Sequence, residues 1–65
     1  MTQKQIDTTR KRLPRMSRKS LLNVIFNLYK GELSIQDCEN IAKATDSKIR
    51  IAIMSKLMLI EYLAK

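Results

Sequence analysis

Six cations crowd into ten residues, Arg10, Lys11, Arg12, Arg15, Arg18 and Lys19, along the run Arg10-Lys11-Arg12-Leu13-Pro14-Arg15-Met16-Ser17-Arg18-Lys19. Like charge at that density repels itself unless a polyanion is near. Four of the six are Arg, whose planar donor fork suits phosphate and a narrow minor groove better than Lys does. The chemistry on offer is therefore phosphate binding. A second set follows at Lys43, Ser47, Lys48 and Arg50. Arg50 carries donors for two hydrogen bonds to a guanine edge, whereas Lys43, Lys48 and Lys56 suit phosphate oxygens.

Catalysis finds no such constellation. The 65 residues include no His and a single Cys. That removes Cys/His zinc sites, Ser-His and Cys-His arrangements and any intrachain disulfide. Neither paired carboxylates nor a glycine-rich phosphate loop takes their place, so the reading is not an enzyme, with no cofactor and no metal. Cys38, between Ile35 and Ile41, reads as a small apolar core residue. Phe26, Tyr29 and Tyr62 are too scattered for a base-stacking platform. The 13 Lys and Arg outweigh the 6 Asp and Glu by a net +7. Residues 1 to 31 hold eight basic residues against Asp7 alone, so the whole excess lies there. One end of the chain is expected to grip a polyanion and the other to pack.

Positioning those residues falls to helices. Residues 1–15 contain few apolar groups and Pro14, and are expected to form a flexible basic arm that cannot offset its ordering entropy. Ser17 is an N-cap, and Leu21, Val24, Ile25 and Leu28 follow helical spacing to about Tyr29, where Gly31 can take the left-handed stop. Ser34-x-x-Asp37 has capping-box spacing and opens a short helix with Ile35, Cys38, Ile41, Ala42 and Thr45 inward. Thr45, Asp46 and Ser47 cap a third helix running to Ala64. That helix carries two apolar stripes: Ile49, Ile53, Leu57 and Ile60, and Ile51, Met54, Met58 and Tyr62. One buried face needs only one stripe. The other, Ile51, Met54, Met58 and Tyr62, is expected at a homodimer interface, because a chain this short buries only about 60% of its unfolded surface and gains from association.

The fold class expected is all-α: a three-helix helix-turn-helix core over residues 16–65 behind the disordered basic N-terminal arm of residues 1–15. Leu33-Ser34-Ile35, Ile41-Ala42 and the run from Asp46 to Leu63, with Lys56-Leu57 and Glu61-Tyr62-Leu63, resemble the helix-turn-helix core of winged-helix regulators of the MarR-like kind. The resemblance covers residues 17 to 63 and does not extend to a β-hairpin wing. It implies that the third helix reads duplex DNA with its first turn.

Together these features lead to the expectation of a small homodimeric, cytoplasmic transcriptional regulator that contacts double-stranded DNA through its arm and third helix. A protein-interaction adaptor or antirepressor, binding another regulator or polymerase through the apolar third helix, is the alternative. No apolar run approaches the roughly 18 residues of a membrane span, and Asn23 and Asn27 interrupt the stretch after the basic cluster, so no membrane partner is expected.

Overall fold

Thr2 starts the first helix where an arm was expected. In the computed structural model, which describes residues 2–64, the Thr2 hydroxyl accepts from the Gln5 amide at 3.2 Å while the Gln5 side chain accepts from the Thr2 amide at 2.9 Å. This reciprocal cap opens α1, Gln3–Arg12, and Arg10, Lys11 and Arg12 fall in its last turn, where cations complement the helix dipole. A single 3-10 turn, Leu13–Arg15, follows with Pro14 at its start, where the missing N–H costs nothing. Three α-helices follow: α2, Arg18–Leu28, α3, Ile35–Lys43, and α4, Asp46–Ala64. No strand occurs among the described residues. Met1 and Lys65, the outer limits of the two expected units, lie outside them.

The ordered α1 corrects the flexible arm. Ile6 and Leu13 lie seven residues apart on one helical face, and each keeps only 2% of its surface exposed. They join Leu21 and Ile25 of α2 and Ile49, Ile53 and Leu57 of α4 in one core. Two apolar side chains suffice because α1 is also tied along its polar side. Gln3 donates to the Glu61 carboxylate at 2.7 Å, and Arg10 pairs with Glu61 and, at 3.8 Å, with Asp7.

The three helices that build the core are thus α1, α2 and α4, not the last three. Helix α3 forms for the expected reason, with the Ser34–Asp37 capping box in place at 3.1 and 3.2 Å. It contributes no buried residue. Cys38 and Ile41 are half-buried, while Ala42 and Thr45 are exposed and Ile35 keeps 83% of its surface. This nine-residue helix reaches the core only near its C-terminal end, through Ile41 and the capping Ala44, and leaves its start in solvent. Gly31, at φ +80°, takes the left-handed conformation expected of it after α2.

In α4 the stripe Ile49, Ile53, Leu57 and Ile60 turns to the core. The other stripe stays outside: Ile51, Met54, Met58 and Tyr62 are 65%, 43%, 62% and 75% exposed. The Cα positions span only 14 Å in the thinnest direction, so the helices form barely two layers, and none of the described residues covers that face. No helix among the described residues is long and apolar enough to cross a membrane.

Candidate nucleic-acid interface

The basic cluster becomes an elbow, formed by the last turn of α1, the 3-10 turn and the first turn of α2. Three arginines fix it from inside. Arg50 reaches across from α4, its Nε donating to the Leu13 carbonyl at 3.2 Å and its Nη2 to the Met16 carbonyl at 3.1 Å. These carbonyls lie at the end of a short helical segment, and Leu13 also accepts there from the Met16 amide at 3.2 Å. Arg18 uses Nη1 on the Ala44 carbonyl at 2.8 Å and on Asp46 at 2.9 Å, and Nη2 on the Ala42 carbonyl at 2.6 Å. Arg10 is held by Glu61.

Arg50 is therefore corrected from a base-edge reader to a brace. It is half-buried, and its fork is turned onto the main chain of the elbow. Lys56 is likewise turned back, 3.3 Å from the Glu32 carboxylate and 4.5 Å above the Tyr29 ring. The sequence could not show either contact, since the partners lie 24 to 37 residues away.

The remaining cations of the cluster, Lys11, Arg12, Arg15 and Lys19, are exposed, and none enters an ion pair among the described residues. Lys11, Arg12 and Arg15 line an open groove of about 570 Å³ with Met16, Ser17 and Ser20. The first turn of α2 opens onto the same groove, and no acidic residue sits in it. Its partial positive charge thus adds to that of the side chains. Ser17 Oγ accepts from the Ser20 amide at 3.3 Å and leaves the Arg18 and Lys19 amides without a capping side chain.

Arg18 has a second effect. By gripping the α3–α4 turn it sets the start of α2 beside Lys43, Ser47 and Lys48, all of them exposed. The two cation sets that are far apart in sequence thus flank one guanidinium. Three cations around a groove at a helix start, with Lys19 beside them and Lys43, Ser47 and Lys48 beyond, make a positively charged surface. Nothing in it activates a nucleophile. Past Lys48, the outward face of α4 is apolar, and Leu59 and Leu63, which the sequence pattern did not single out, widen it.

Comparison with protein-family models, with curated proteins and with solved structures gives no match to this chain.

Proposed function

We propose that the chain is a small homodimeric DNA-binding protein that holds duplex phosphates with the exposed cations of its elbow and regulates transcription or a related DNA transaction. One observation carries this reading: Arg10, Arg18 and Arg50 spend their donors on the fold, while Lys11, Arg12 and Arg15 around one groove, and Lys19 on the adjoining first turn of α2, enter no ion pair among the described residues. Unopposed cations on a rigid support favour a polyanion more than a solubilising tail does, because their positions are held before binding. The order of α3, a two-residue turn and α4 keeps a helix-turn-helix character. Ser47 and Lys48 are the side chains in its first turn that remain open to DNA.

The test is a titration of a labelled duplex, followed by fluorescence anisotropy, with the full chain and with a variant carrying Lys11→Gln, Arg12→Gln, Arg15→Gln and Lys19→Gln. The variant should stay folded and lose most of its affinity at low salt. Equal affinity for both proteins overturns the reading. Truncation at Met16 does not serve, because it removes Ile6 and Leu13 from the core.

The exposed stripe on α4 supports a second reading, an adaptor that binds another protein through Ile51, Met54, Met58 and Tyr62. A stable monomer by light scattering, with no duplex binding, favours it.

A further inference from the structure

We infer that the outward faces of α4 from two copies pair antiparallel about a twofold axis between Lys56 and Leu57, and that this pairing sets both basic elbows on one side of the dimer. The use of those elbows on DNA rests on the function proposed above, but the pairing does not.

The occupant of the face follows from charge. Each copy carries +7, so two copies meet favourably only where cations are absent. Between Ile51 and Leu63 the charged residues are Lys56 and Glu61, and both are turned into the flanks, to Glu32 and to Arg10. What remains outward is Ile51, Met54, Ser55, Met58, Leu59 and Tyr62, an uncharged band over three turns. Together with Leu63, its large apolar members are 43% to 75% exposed. Side chains this large and this exposed supply much of the ~800 Å² that each partner of a stable interface buries. The seven buried side chains of the core also leave a chain of this size in need of such burial.

Direction follows from the same charges. A parallel pair brings the two elbows together at one end, because Arg50 ties each elbow to the N-terminal part of its own α4. An antiparallel pair separates them and opposes the two helix dipoles. The band is self-complementary in that sense: near its midline Ile51 lies level with Tyr62 of the second copy and the small Ser55 lies level with the flexible Met58, while Met54 and Leu59 line its two edges. Arg50 then lies level with Leu63 of the second copy. At 1.5 Å per residue this puts the elbows about 20 Å apart along the axes, beyond twice the ~8 Å screening length at physiological salt.

The flanks give the orientation. Arg50 and Glu61 hold the 3-10 turn and α1 on one flank of α4, while Lys56 reaches the segment before α3 on the other. At 100° per residue the first flank stands about 100° from the centre of the outward band. A twofold perpendicular to an antiparallel helix pair keeps such a flank on the same side in both copies. Both elbows therefore face one way, within one duplex turn of ~34 Å, and both copies of α3 face the other way.

Two measurements without DNA test this on the full chain. In a Cys38→Ser background, equal amounts of Ile51→Cys and Tyr62→Cys chains are mixed and oxidised, and the products are identified by intact mass. Antiparallel pairing predicts the mixed 51–62 disulfide as the main product. Predominant 51–51 and 62–62 products overturn it. Sedimentation equilibrium of the unmodified chain at tens of micromolar should give a dimer, and Met58→Glu should give a folded monomer by circular dichroism. A monomeric parent chain overturns the proposal, including one that still binds duplex. A dimer with the 51–62 link that ignores duplex sustains the pairing and removes the DNA reading instead.

Discussion

At the scale of single residues, arginines of one sequence cluster divide into two trades. Arg18, and Arg50 reaching in from α4, close carbonyls at helix ends, while Arg12 and Arg15 project into solvent beside the groove. Replacing Arg50 with Ala removes its bonds to the Leu13 and Met16 carbonyls, of which Leu13 keeps the Met16 amide, and a loss of about 1–3 kcal/mol is expected in urea unfolding. Arg12→Gln with Arg15→Gln should do the reverse, leaving the urea midpoint unchanged and weakening duplex binding. Gly31 offers a cleaner backbone test. No atom lies within 4 Å of where its Cβ would be, so Gly31→Ala should cost about 1–2 kcal/mol from the left-handed conformation alone. The local part of this was readable beforehand, since Ser34 and Asp37 sit three residues apart and Gly31 follows an apolar run. The arginine assignments were not, because a guanidinium's choice between phosphate and a carbonyl 26 or 37 residues away is made only by the fold.

Among the elements, α1 and α3 exchanged the parts that their sequences advertise. Helix α3 has the more regular amphipathic pattern yet buries nothing fully, whereas the single apolar residue of α1, Ile6, goes into the core with Leu13 of the turn that follows. Amphipathicity reports which face is apolar and not how far another helix covers it. Unfolding should expose the difference. Leu13→Ala is expected to cost about 2–4 kcal/mol, whereas Ile35→Ser, at an 83% exposed position, should stay within about 0.5 kcal/mol. In α4 the period was decisive for the existence of two stripes, and the packing of α1 and α2 selected Ile49, Ile53 and Leu57 as the inner one. Anchoring α1 through Ile6, Leu13 and the Glu61 contacts turns a basic segment into a rigid support for its last-turn cations.

For the whole molecule, a small core, an uncovered apolar helix face and a one-sided charge are parts of one account. Burying the α4 face by self-association makes stability depend on concentration, so the melting temperature should rise with protein concentration and lose that dependence in Met58→Glu. In the proposed function the charge has its own use, since elbow cations that meet duplex phosphates release the counterions bound there. The most direct measurement is the duplex affinity of the full chain across a salt series. If Lys11, Arg12, Arg15 and Lys19 each meet a phosphate, log K should fall with log[salt] at a slope near −3.6 per protomer, from about −0.9 per contact. The Lys11→Gln, Arg12→Gln, Arg15→Gln, Lys19→Gln variant should lose about that much of the slope, keeping only what Lys43 and Lys48 supply. An unchanged slope in the variant, or a flat response in the full chain, contradicts the account.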